Sequence, residues 1–97
     1  MFIRVAAGRY DPAQFEELRR YAQERLAPTL SGLPGFQRYT AGFDRAGGHF
    51  LGVSIWDTEE QAHAATAAIE RLRAEFPPAS SQSQGQVTPY YEIIAQA

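Results

Sequence analysis

Trp56 closes the apolar run "GVSIW", and His63 follows seven residues later, after "DTEEQA". An indole N–H can donate to an oxygen of a bound ligand. An imidazole titrates near neutrality and can take a proton from a phenol. Tyr39, in "FQRYTAGFD", adds a phenolic donor. Together these three could take a proton from a bound ligand and donate to the oxygen left behind. They are the candidate catalytic residues. Ser54, Phe43, Phe50 and Gln37 are candidate pocket walls. Plainer roles compete for the same side chains. Trp56 suits an aromatic capping the core where a strand meets a helix. His63 lies about 100° from Ala62 around a helix, at the margin of the buried stripe, where it can meet Glu59 at i, i+4.

Other chemistries find little support. With no Cys in the chain, disulfides and thiolate catalysis are excluded, and so are thiolate metal sites. Glu60-x-x-His63 has half of a bundle di-iron motif, but such a site needs further carboxylates and a second copy. With His49 and His63 the only histidines, no dedicated metal is expected. "GVSIW" lacks the second Gly of a nucleophile elbow and falls in mid-strand. "RAGG" is a hairpin, not a phosphate loop. Net charge is −2, all nine cations are Arg, and no basic cluster is present, so nucleic acid is not an expected partner. No apolar run approaches the ~20 residues that span a bilayer, and "MFIRVAAGRY" lacks a signal-peptide pattern. A soluble, cytoplasmic protein is expected.

Positioning those side chains takes a definite set of elements. Residues 2–10 have strand composition, with Gly8 suggesting a bulge or close approach. Asp11, Pro12 and Gln14 resemble a capped helix start. Phe15, Leu18, Ala22 and Leu26 then follow at helical spacing, and Pro28 predicts a helix end near Ala27. Residues 36–44 and 49–57 read as a hairpin around "RAGG". Thr58 and Gln61 form a capping-box pair ahead of a second helix with stripe Ala62, Ala65, Ile69, Leu72 and Phe76. Residues 79–86 read as a mobile polar loop, and residues 87–97 as a last strand. The order β-α-β-β-α-β is ferredoxin-like, an α+β fold in a single domain spanning 1–97.

If 43 pairs with 50, then Gln37, Tyr39, Ala41 and Phe43 share a face with Phe50, Gly52, Ser54 and Trp56. Leu51, Val53 and Ile55, with Phe36 and Thr40, take the other. Both faces are apolar, and two helices cover only one of them. A second copy packed sheet to sheet is the expected cover, giving a homodimer. Arg4, Arg9 and Arg38 lie on strands, where an inward cation needs a partner. Arg38 is expected to meet Glu92 or Asp44 across the dimer.

The segments "FIRV", "LPGF", "FDRAGG", "VSIWDTEE" and "YYEI" resemble the dimeric α/β-barrel superfamily. Within it the chain is most similar to small proteins with an antibiotic-biosynthesis-monooxygenase-type domain. The resemblance implies a barrel at a dimer interface and a small-molecule cavity between sheet and helices in each subunit. It also implies either cofactor-independent oxidation of aromatic hydroquinones or haem degradation. Trp56 matches the Trp that follows the third strand in that family. The haem-degrading members also need an Asn on the first strand and a His near the position of Thr66; this chain has neither. The resemblance thus implies a small-molecule-binding protein, a cofactor-independent monooxygenase acting on a phenolic or quinol compound. The alternatives are a non-catalytic sensor or carrier of an apolar ligand, or an isomerase or cyclase on the same scaffold.

Overall fold

The computed structural model describes residues 1–77, 80–81 and 89–97. Three long strands, β1 (Phe2–Arg9), β2 (Phe36–Asp44) and β3 (His49–Trp56), form an antiparallel sheet in the order β2-β3-β1. Two short strands share the far edge of β1. β5 (Tyr90–Glu92) pairs with residues 2–4, and β4 (Ser80–Ser81) with residues 8–9. Helical segments join β1 to β2 and β3 to β4, completing the expected ferredoxin-like β-α-β-β-α-β order.

The hairpin forms as expected, with Phe43 opposite Phe50 and Gly48 at φ +73° in the turn. Thr58 and Gln61 close the anticipated capping box on α3 (Glu59–Leu72). The register has one irregularity, and it lies at Phe36–Arg38 in β2, not at Gly8, which pairs regularly with Phe50. A bulge adds one residue to one strand and shifts the alternation beyond it. Phe36 therefore stands edge-to-face against Trp56 at 5.6 Å, on the face opposite to the expected one. Gln37 leaves the covered face and turns to solvent.

The first helical region runs further than expected. After a 3₁₀ turn (Pro12–Gln14), where Asp11 accepts from the Ala13 N–H, come α1 (Phe15–Tyr21), a π-helical turn (Ala22–Leu26) and α2 (Ala27–Ser31). Pro28 does not end it. In an unbroken α-helix its ring would crowd the carbonyl four residues back and leave that carbonyl without a donor. The π turn widens the backbone just ahead of it, with the Ala27 N–H donating to Ala22 O, five residues back. The helix thereby reaches Leu30, which is 1% exposed.

The core sits between this helical layer and one face of the sheet. Leu18, Tyr21, Leu26 and Leu30 meet Ala62, Ala65, Ile69 and Leu72 of α3 above Phe50 and Trp56. The last strand is shorter than expected, confined to Tyr90–Glu92. Of the anticipated loop 79–86, Ser80 and Ser81 pair with β1, and the remainder lies outside the described residues. The other face of the sheet carries Ile3, Val5, Val53 and Ile55, all partly exposed, with Leu51 at 48% and Tyr91 at 45%.

Candidate functional site

A cleft of about 380 Å³ opens between the α1 side of the helical layer and strands β2 and β3. The rings of Phe15, Phe43 and Phe50 wall it, with Leu18, Ala22 and Ala41 between them. Phe15 and Phe43 stand 6.0 Å apart, and the Arg45 guanidinium lies 3.8 Å over the Phe15 ring. The π turn contributes Ala22 and Gln23, so the helical irregularity and the cleft coincide. A widened turn beside small side chains sets the backbone back from the sheet and leaves room. The volume and lining are those of a site for a small, largely apolar molecule.

Tyr39 supplies the polar feature of the inner wall. Its hydroxyl lies across Gly52 on the neighbouring strand, where a Cβ would come within 3.3 Å of it. A side chain at 52 would have to displace the hydroxyl by a few tenths of an ångström. Among the described residues the Tyr39 hydroxyl makes no hydrogen bond, nor is it sealed in the protein, since no fully buried side-chain N or O atom there lacks a partner. Burial pushes its pKa up to about 12, with the Arg4 charge pulling modestly the other way. The phenol is therefore a neutral O–H donor at physiological pH, on a residue that lines the cleft.

Tyr21 is also pushed up to about 12 by burial, and it donates to Leu72 O at 3.0 Å. Both folded values lie above the ordinary value of 10. Their stabilising contribution is complete below pH 10 and lost as pH rises through 12. The midpoint of urea unfolding is expected to fall across that window, and less so in Tyr21→Phe. Equal falls in the two proteins would remove the Tyr21 assignment.

The structure does not bring the expected trio together. Tyr39, Phe43 and Phe50 line the cleft. Trp56 is 0% exposed beneath the helices, and its Nε1–H donates to Ser54 Oγ at 2.9 Å, so each satisfies the other inside the core. Gln37 is exposed and donates to Asp57 Oδ1 at 2.6 Å. His63 faces outward on α3, 3.4 Å from Glu59, with its ring 3.9 Å from that of Tyr90. His63→Ala is expected to leave ligand affinity and oxygen uptake unchanged; a tenfold loss of either would restore it to the chemistry. Residues missed from the sequence include Phe15 and Gln23 as cleft walls, and the buried contacts of Arg4, Thr66 and Tyr90. Strand alternation does place Arg4 on the covered face, which was the available signal. Among the described residues no three His, Asp or Glu side chains converge as a metal site requires.

The model of the antibiotic biosynthesis monooxygenase family matches residues 1–75. The chain belongs to this family. No curated protein matches it in sequence. Among solved structures, MupZ from Pseudomonas fluorescens superposes with a TM-score of 0.70 at 17% identity over 84% of the chain, which spans 62% of MupZ. The monooxygenase from the gene ActVA-Orf6 of Streptomyces coelicolor, in complex with nanaomycin D, gives 0.62 at 16% identity, covering 99% of this chain and 92% of that one. SnoaB from Streptomyces nogalater, a cofactor-independent oxygenase, gives 0.55 at 20% identity, covering 99% and 91%. At these identities the likeness is one of fold. No helix among the described residues is long and apolar enough to cross a membrane.

Proposed function

We propose that this family member is a homodimer that holds a small aromatic ligand in the α1 cleft, and that its reaction is cofactor-independent oxygenation of a phenolic or quinol compound. The observation that carries the proposal is the cleft itself, an aromatic-walled space with one unpartnered phenol O–H at its inner wall. Membership of a monooxygenase family and fold likeness to a cofactor-independent oxygenase support the choice of reaction. In that reaction the ligand loses a proton and its anion gives one electron to O₂. The radical pair then joins as a C–O bond and the peroxide anion takes the proton back; the hydroperoxide then loses water together with the ring hydrogen, leaving one oxygen atom on the ring as a carbonyl. The apolar walls shelter the radical pair from solvent, and Tyr39 O–H donates to the ligand oxygen on which negative charge develops.

Carrier or sensor function is the second reading, and one observation favours it. Among the described residues, the cleft lining includes no His, Asp or Glu to serve as a general base. Oxygen consumption with anthrone- and hydroquinone-type compounds separates the two. Uptake above the uncatalysed rate, with quinone as product, supports oxygenation. Tight binding of the same compounds without uptake leaves the carrier.

A further inference from the structure

The polar part of the cleft lining is divided between its two walls. Arg19 and Gln23 line it from the helical side, and Tyr39 from the sheet. Arg19 and Gln23 stand four residues apart, so they share one face of the helix, and Gln23 belongs to the π turn. π turns inside helices are frequent at functional sites. A guanidinium only donates hydrogen bonds, a side-chain amide both donates and accepts, and the neutral Tyr39 phenol offers its O–H. Among the described residues, the lining holds one cation and no carboxylate.

The Arg19 charge is only partly engaged. One of its amino groups donates to Glu16 Oε2 at 2.7 Å, in a pair whose side chains are 54% and 63% exposed. Ion pairs in such positions are weak and easily exchanged. Among the described residues the Arg19 Nε–H and its other amino group donate to nothing, and the Gln23 amide makes no hydrogen bond. Glu16 is also shared. Its bond to Arg19 holds its carboxyl below the ordinary range, and the charges of Arg45 and Arg20 act on it as well. Arg45 itself lies over Phe15, a wall of the cleft, and makes no ion pair among the described residues. The chain as a whole carries −2, so cations gathered at this wall are a local feature.

We propose that Arg19 and Gln23 are specificity-determining residues of the cleft and that its ligand is an aromatic carboxylic acid, the ring seated among Phe15, Phe43 and Phe50 and the carboxylate against the helical wall. The proposal rests on the cleft being an aromatic-ligand site. A carboxylate matches the planar fork of a guanidinium with two parallel bonds, and the Gln23 amide adds a third donor. A ring oxygen directed to the other wall takes the Tyr39 O–H. An ammonium group meets no lining carboxylate, so the same walls disfavour an aromatic amine.

The test is calorimetric titration of the intact protein, in low salt, with 2-naphthoate, the uncharged 2-naphthamide and the cationic 2-naphthylmethylamine. The wild type is expected to bind the carboxylate about five- to tenfold more tightly than the amide, and the amine least well. The carboxylate-to-amide ratio is the readout, because a change in the apolar walls affects both compounds alike. Arg19→Gln is expected to bring that ratio close to one, Gln23→Leu to lower it about twofold, and Arg19→Lys to keep part of it. Both side chains are exposed, so the variants are expected to unfold near the wild-type temperature. Equal binding of carboxylate and amide by the wild type, or tightest binding of the amine, overturns the assignment and leaves the cleft reading standing. Binding of none of the three removes both. A ratio unchanged in Arg19→Gln overturns the assignment, and one unchanged in Gln23→Leu removes Gln23 from it.

Discussion

Tyr39→Phe is expected to reduce kcat/KM for a phenolic substrate about 10- to 150-fold, with the loss mainly in kcat. The estimate follows from what the hydroxyl does before any ligand arrives. Among the described residues it has no protein partner, and its raised pKa of about 12 keeps it a donor. A hydrogen bond to a charged oxygen is worth about 1.5–3 kcal/mol, and each ~1.4 kcal/mol is a factor of ten. A neutral ground-state oxygen gains only about 0.5–1.5 kcal/mol from the same donor. Binding of the uncharged ligand should therefore weaken less than turnover does, which is the signature of an interaction strongest in the transition state. The folded state should not notice, because no internal hydrogen bond is lost. Initial-rate oxygen uptake alongside thermal unfolding checks both halves. A variant as fast as wild type removes Tyr39 from the chemistry. A variant that is slow because it is poorly folded moves Tyr39 into the scaffold.

How much of this was legible in the residues depends on the range over which each signal acts. The "RAGG" hairpin, the Thr58–Gln61 capping box and the strand–helix order are set by neighbours a few positions apart, and all formed as expected. Pro28 was a local signal too, but a π turn five residues long absorbed it, and nothing in "AQERLAP" announces that register. Gln37 lost its place through the bulge, because one extra residue reverses every face assignment on its far side. The site depended on longer distances. His63 occupies the margin of the α3 stripe, so a modest rotation of that helix over the sheet decides whether it faces a cavity or water. Helical spacing does not encode that rotation. Trp56 was correctly placed in the core, yet its N–H turned to Ser54 two residues back instead of to a ligand. Arg4 is the converse case. Its face was readable from alternation, but its bond to Thr66 of α3 is a fact of assembled structure.

Val53→Asp is expected to convert the proposed homodimer into folded monomers at micromolar concentration. Val53 lies at the centre of the uncovered face, paired with Val5 on one side and Thr40 on the other. Ile3, Ile55, Leu51 and Tyr91 surround it and are partly exposed in the single chain, Leu51 by nearly half. A sheet wet on one side ordinarily alternates apolar with polar; here β1 and β3 are apolar on both faces, and the helices cover one. Cover by a second copy related by a two-fold axis brings the same patch against itself, so any substitution enters the interface twice. An unpaired buried charge costs about 3–5 kcal/mol. Two of them, facing each other with like sign, raise the dimer dissociation constant by about 10⁴-fold or more. Within the monomer the same carboxylate remains hydrated, and its penalty is the ordinary strand-propensity difference of about 1 kcal/mol or less. The cleft opens on the opposite face of the sheet, so aromatic-ligand affinity should persist in the monomeric variant. Sedimentation velocity and ligand titration on the same sample decide the matter. A wild type that already sediments as a monomer, or a Val53→Asp protein that stays dimeric, would show that something other than this sheet face makes the contact.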